Sequence, residues 1–452
     1  MRNSTRDNQE RLLAFLATGI YSSLEIQQRF GFSQPVSSRL LTHLGEQVLV
    51  IGKARSRRYA RQRDVRGLGG AFPVHAIDAD GNARLLGTLF AVAQTDFLWQ
   101  PVGGREQVFK SLPWFLADLY PDGFVGRAFV RNCHEELGLP PRSVDWRDDH
   151  ALIALARRGE DTMGNLVVGQ ESLDRYFRMV QAAGTTMDAE EREAAYPRLA
   201  QEAMTGQPAG SSAGGEQPKF TTTIKQDGVV QNLLVKFSPP LATEEGRRWA
   251  DLLLCEHHAL RVAQQAGIPA ARSSVLEAGG RLFLEVLRFD RTGLFGRLPI
   301  ISLRAVDNEL YDYQDTWINA ANRMENDGRL TSQDASRLRW LSVFSSLIAN
   351  NDQHFGNISL VMTEGSKRFQ LAPAYDLLPM LYRPLDGAAP APTFLPPAAV
   401  VGGQQEWASA LDAAYGFWEQ VRLDQRISEP FRLLCTENGA AVRRLLSAPR
   451  LL

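Results

Sequence analysis

The stretch "IANNDQHFGNISLV" (348–361) sets Asp352, His354 and Asn357 between an apolar run and a segment that alternates like a strand. Carboxylate and amide groups mounted between two greasy elements need a purpose, because polar groups near a core are costly unless satisfied. Nineteen residues beyond Asn357, "APAYDLLP" (372–379) supplies a further carboxylate, Asp376. The intervening sequence alternates and turns at Glu364-Gly365, as a hairpin does. Phosphoryl transfer from ATP asks for a carboxylate to orient the attacking hydroxyl, and for an amide and a second carboxylate to hold magnesium. The D-x-x-x-x-N spacing followed by Asp376 supplies that set. Asp352 is therefore the candidate catalytic residue, and Asn357 and Asp376 are the candidate metal ligands.

Such chemistry also needs a cation on a rigid element. Lys236, in "LLVKF" (233–237), is a lysine inside a strand pattern, between Val235 and Phe237. It is costly to hold there without a partner. Glu256 stands out of the otherwise apolar helix pattern "LLLCEHHAL" (252–260) and is the candidate partner. Around these residues the sequence reads as two hairpins, turning at Asp227-Gly228 and Gly279-Gly280, with a long helix between them that stops at Gly267. Beyond about residue 310 the pattern is mostly helical. Strands first and helices later predict an α+β, two-lobed layout.

At the other end, apolar positions over residues 8–18 recur at helical spacing. A second helix fits "SLEIQQRFG" (23–31), with Ser23 as N-cap and Gly31 as stop, and a third follows Ser33, with Pro35 in its first turn. The strand pair "VLVIGKARSRRYA" (48–60) has a basic tip. Together these spell a winged helix-turn-helix. Gln34, Ser37, Ser38 and Arg39 are read as the exposed, groove-reading set, and Lys53, Arg55, Arg57 and Arg58 as phosphate contacts on the wing. The competing reading is a solvated basic hairpin on a protein-docking domain.

Length and composition fit this picture. A chain of 452 residues predicts roughly three domains, and 44% hydrophobic with 22% charged residues is the balance of a globular protein. The divisions expected are 1–66, 67–204 and 205–452, with a soft boundary at the small-residue loop "TGQPAGSSAGGEQPKF" (205–220). A net charge of -1 excludes a chain that binds polyanions through its whole surface. No apolar run is long enough to span a membrane. Cys133, Cys255 and Cys435 lack metal-ligand spacing and are read as buried thiols in a reduced, cytoplasmic setting.

"SAGGEQPK" (212–219), "LVKF" (234–237), "RFDR" (288–291), "NDQHFGN" (351–357) and "AYDLLP" (374–379), in this order, resemble the HipA family of bacterial toxin Ser/Thr kinases. The similarity extends to "LPWFLADLYPDG" (112–123) and "DTMGNLVVG" (161–169), and with the N-terminal helix-turn-helix it is nearest to the YjjJ-type members. The resemblance implies a HipA/protein-kinase-like fold, ATP and Mg2+ as cofactors, and Lys236 as the phosphate contact. It implies an adenine-facing connector at Leu287 to Phe289, a glycine-rich loop at Gly214 and Gly215, and autophosphorylation at Ser212, with Ser211 as the alternative acceptor. Leu287 stands where the family usually has Glu. His354 is read as a brace for the backbone near the metal-binding Asp rather than as a proton carrier, and Asp290 as an ion-pair partner of Arg288 or Arg291. A protein substrate, DNA, an antitoxin and a second copy of the chain are the partners the reading allows. A nucleotide-sensing regulator and a small-molecule kinase are the alternatives.

Overall fold

The first helix, Arg2–Leu16, begins earlier than its periodicity suggested, and Ser23–Phe30 and Gln34–Leu44 follow it. Ser22 rather than Ser23 is the N-cap of the second helix: its hydroxyl accepts from the Glu25 amide, and the Glu25 carboxylate accepts from the Ser22 amide. Gly31 ends that helix at φ 67°, a left-handed conformation that suits glycine. Strands Val48–Ile51 and Arg58–Arg61 pair antiparallel, and Tyr21–Ser22 adds to the second of them. Leu12, Leu16, Ile26, Leu40, Leu41 and Leu44 form the core of this unit. Ser37 corrects the expected exposed set. It shares the inward face of its helix with Leu40, Leu41 and Leu44, three to seven positions on, and is fully buried.

The computed structural model describes residues 2–53, 56–121, 123–182, 186–205, 217–363, 365–384, 392–397, 399 and 401–447, with side chains from residue 6. Arg55, Ser211, Ser212, Gly214 and Gly215 lie outside the described residues.

Next comes a five-stranded antiparallel sheet whose neighbours run Gln107–Phe109, Asp96–Pro101, Ala83–Val92, Ala71–Ile77 and Leu166–Val168. Helices Gly123–Leu137 and Asp148–Arg158 contribute to its core, which includes Phe72, Leu89, Phe97 and Leu152. The N-terminal hairpin packs on this sheet through Ile51, Ala60, Val92 and Leu98, and the Gly52 amide donates to Glu106 Oε2 at 2.6 Å.

A second five-stranded sheet carries Lys236. Its neighbours run Ser273–Ala278, Arg281–Leu287, Val229–Phe237, Lys219–Gln226 and Met187–Asp188. Asp227 and Gly228, at φ 49° and 80°, make the tight turn between the Lys219–Gln226 and Val229–Phe237 strands. Alternation divides the sheet into two faces. Leu233, Val235 and Phe237 pack under helix Arg192–Met204 with Tyr196, while Leu284 and Val286 join the long helix Glu244–Gln265 in the main core. That core continues into helices Leu303–Leu310, Trp317–Asn326, Ser332–Leu347, Gln404–Leu423 and Glu429–Ser447, and into the small sheet Ile300–Ser302, Ser359–Met362 and Phe369–Leu371. The architecture is thus mixed α+β. All three cysteines are free and buried. No described helix is long and apolar enough to cross a membrane.

Candidate functional site

Lys236 lies on the face of its strand opposite Val235 and Phe237, only 3% exposed, and turns its ammonium to the long helix. There it donates to both Glu256 oxygens at 2.7 Å and also contacts Asp376 Oδ1. Glu256 is fully buried rather than turned outward, because it supplies the charge that a buried ammonium needs. Burial pulls the Lys236 ammonium below its ordinary value, Glu256 opposes that pull, and Lys219, paired with it across the strands, adds repulsion. The Asp376 amide donates to Glu256 Oε1 at 3.3 Å, so one carboxylate grips both the lysine and the loop that carries Asp376.

The loop after helix Ser332–Leu347 holds Asp352 and Asn357. Asn357 donates its Nδ2 to the Asp352 carbonyl at 2.9 Å, which leaves its Oδ1 as an oxygen donor, and the Asp352 amide donates to Asn350 Oδ1 at 3.0 Å. His354 accepts from the Gly356 amide through Nδ1 at 3.1 Å, and its carbonyl accepts from the Trp317 indole at 3.2 Å. Its ring therefore braces the turn, with Nε2 3.9 Å from Asp352 Oδ1. Tyr375 ties this loop to Asp376: its hydroxyl donates to the Gly356 carbonyl at 3.0 Å and lies 2.8 Å from Ser359 Oγ. Two non-glycine residues at the site, Ala349 and Asp376, sit at φ 61° and 53°. Left-handed backbone of this kind is held only where surrounding contacts impose it, and such residues gather at working sites.

The cleft thus brings together Lys236, Glu256 and Asp376, with the Asp352–Asn357 loop stitched beside them. Asp376 and the Asn357 amide oxygen are the hard oxygen donors that Mg2+ takes. Among the described residues there is no group of three or more His, Cys, Asp or Glu that could hold a metal ion. At the connector, the Leu287 amide is bonded to the Arg272 carbonyl at 2.8 Å, and the Phe289 ring lies 5.7 Å from that of Tyr375. Asp290 pairs with both arginines of its motif: Arg288 at 2.8 Å and Arg291 at 2.6 Å.

Sequence reasoning missed three parts of this arrangement. Gln217 donates to the Phe237 carbonyl at 2.6 Å and fastens the end of the glycine-rich segment to the lysine strand. Tyr375 was legible only as a neighbour of Asp376. Arg291 bonds Asp161 Oδ1 at 2.9 Å and the Thr162 and Gly164 carbonyls, so the "DTMGN" turn grips the connector.

Comparison with known proteins decides the family. Residues 68–177 match the model of the YjjJ-like toxin middle domain, and residues 211–437 match that of the HipA-like C-terminal domain. The toxin YjjJ of Escherichia coli (strain K12) is 36% identical over 442 residues, covering 96% of this chain and 97% of that protein. The chain belongs to the YjjJ-like toxins, with a HipA-like C-terminal domain. Among solved structures, HipA in the Shewanella oneidensis MR-1 toxin–antitoxin complex with HipB and operator DNA is 14% identical, with a TM-score of 0.48, over 83% of this chain and 96% of that one. The Helicobacter pylori proinflammatory kinase CtkA is 13% identical, with a TM-score of 0.36, over 58% and 99%. Within the YjjJ-like family, the site described above falls inside the HipA-like segment.

Proposed function

We propose that this YjjJ-like toxin is an ATP- and Mg2+-dependent serine/threonine protein kinase. The observation that carries the reading is the buried Lys236, held at once by Glu256 from a helix and by Asp376 from the loop beside Asp352 and Asn357. In this reading Asp376 and Asn357 hold the metal and Lys236 contacts the phosphates. Asp352, partly exposed, accepts a hydrogen bond from the acceptor hydroxyl and orients it for in-line attack. The connector Leu287 to Phe289 faces the adenine. Bound Mg–ATP supplies the phosphoryl group; the chain supplies position and charge.

Ser212 is the proposed site of self-modification, with Ser211 as its alternative. A phosphate there brings nearly two negative charges to the loop over the nucleotide phosphates, and repulsion then opposes nucleotide binding. Incubating the protein with ATP and Mg2+ and mapping phosphosites tests both claims. Phosphate on Ser212 is expected, and Asp352→Asn is expected to abolish it. ATP binding without any transfer, to itself or to lysate proteins, overturns the kinase reading in favour of a nucleotide sensor.

The N-terminal unit is proposed to be a winged helix-turn-helix that binds DNA. Residues 1–66 carry twelve Lys and Arg against five Asp and Glu, while the rest of the chain carries 38 against 46. Gln34, Ser38 and Arg39 on the third helix and Lys53, Arg57 and Arg58 on the hairpin are exposed. A cationic module on an acidic body concentrates attraction for a polyanion in one place. The proposed division of the chain keeps 1–66 as the DNA-binding unit. It moves residues 187–204 to the catalytic part, since Met187–Asp188 and Arg192–Met204 belong to the lysine sheet and its cover.

A further inference from the structure

A cavity of about 530 Å3 opens at the end of the lysine sheet remote from Lys236. Its walls come from the Val229–Asn232 end of the lysine strand, from Arg272, from the connector at Leu287 and Arg288, and from Arg291 to Gly293. The strand residues lie four to seven positions before Lys236, roughly 13–23 Å along a strand. This space is therefore separate from the phosphate end of the cleft. It has the size of a small-molecule site.

Its lining is cationic and amide-rich. Arg272 is exposed and its guanidinium makes no ion pair or hydrogen bond among the described residues, whereas Arg288 and Arg291 form the wall with Asp290 beneath them. Gln226 and Gln231 also line it, together with one acidic residue, Asp227. A second observation agrees. Burial first, and then repulsion from Arg288, holds the Arg291 guanidinium below its ordinary value. In the same way burial, and then Arg291, brings Arg297 to about 10. Against the pull of burial, Asp290 holds Arg288 above its ordinary value, but Arg288, Arg291 and Arg297 still set three guanidiniums against the two carboxylates of Asp290 and Asp161, and an added anion balances the third.

We infer that this cavity is a binding site for a small phosphate-bearing molecule, of up to nucleotide size, distinct from the phosphate end of the proposed ATP cleft and meeting that cleft only at the connector. Arg272 supplies the charge that meets the phosphate, Gln226 and Gln231 supply neutral hydrogen bonds, and Arg288 and Arg291 supply the field behind them. A ligand seated there touches the lysine strand and the connector together, so it stiffens the joint between the lobes.

The test uses the full chain loaded with a non-hydrolysable ATP analogue and Mg2+, titrated by calorimetry with inorganic pyrophosphate and, separately, with AMP. Saturable binding at one site is expected for pyrophosphate in the loaded protein. Arg272→Ala is expected to weaken it about tenfold or more, the loss of a charged hydrogen-bonding partner, while Gln231→Leu weakens it less and Arg105→Ala, in the exposed turn between strands Asp96–Pro101 and Gln107–Phe109, leaves it unchanged. AMP binding in the loaded protein, weakened by the same change, shows that the site takes a nucleotide; pyrophosphate binding alone restricts it to the smaller anion. No saturable pyrophosphate binding, an Arg272→Ala protein that binds as the wild type does, or displacement of the analogue one for one overturns the inference. Failure of the analogue itself to bind counts against the kinase reading and leaves the pyrophosphate titration of this cavity informative.

Discussion

At the scale of one residue, Lys236 links fold and chemistry. An ammonium with 3% exposure is tolerable because Glu256 and Asp376 meet it, and removing it strands a fully buried carboxylate. Lys236→Met is expected to destabilise the protein by about 3–5 kcal/mol, the usual cost of breaking a buried pair, read from urea unfolding. Adding Glu256→Met to it is expected to recover part of that loss, because no orphaned charge remains, while phosphate transfer stays absent. A single Lys236→Met protein as stable as wild type would show that the pair does not hold in solution.

At the scale of an element, the long helix Glu244–Gln265 carries a pH dependence. Burial, and then repulsion from His258, lowers the His257 imidazole to about 4. Between pH 4 and 6.5 the unfolded chain therefore binds a proton at His257 that the folded chain does not. Stability contributed by the neutral ring is present above pH 6.5 and is lost as pH falls toward 4. The loss amounts to about 2 kcal/mol for a partly buried group. Thermal unfolding at pH 7, 5.5 and 4.5 checks it, and His257→Gln is expected to flatten the slope. Asp290 adds a separate, lower window. Burial alone would raise its carboxyl, but Arg288 and Arg291 carry it down to about 2, so its contribution is present above about pH 4 and disappears only below that.

At the scale of the whole molecule, polar contacts among the described residues help to join the parts of the chain. Glu106 holds the N-terminal hairpin at Gly52, Asp118 accepts from the Ser302 hydroxyl at 2.7 Å, and Arg291 ties the connector to Asp161. The proposed DNA-binding unit is thereby fixed to the body that carries the cleft, and its affinity is measurable in the full chain. Among the described residues, the exposed Lys53, Arg57 and Arg58 are the three proposed phosphate contacts on the wing. Duplex affinity is then expected to fall roughly fortyfold between 50 and 200 mM salt, and Arg57→Ala to lower the salt slope by about one. Binding that ignores salt, or its absence in a gel-shift or anisotropy titration, refutes the assignment.

Local rules alone determined much of this protein. Period-two and period-3.6 patterns marked the strands and helices, Asp227-Gly228 and Gly31 marked a turn and a helix stop, and the spacing of Asp352, Asn357 and Asp376 marked a candidate site, because each depends on neighbours in the chain. Which way a polar residue points was settled only by packing. Ser37 turned inward because its helix needed that face for the leucine core, and Glu256 turned inward because a lysine twenty residues away had to be neutralised. The grip of Asp161 and Gly164 on the connector joins segments more than a hundred residues apart, and the arginine-lined cavity gathers three separate stretches between residues 226 and 293; both belong wholly to the tertiary structure, since no local pattern encodes such meetings.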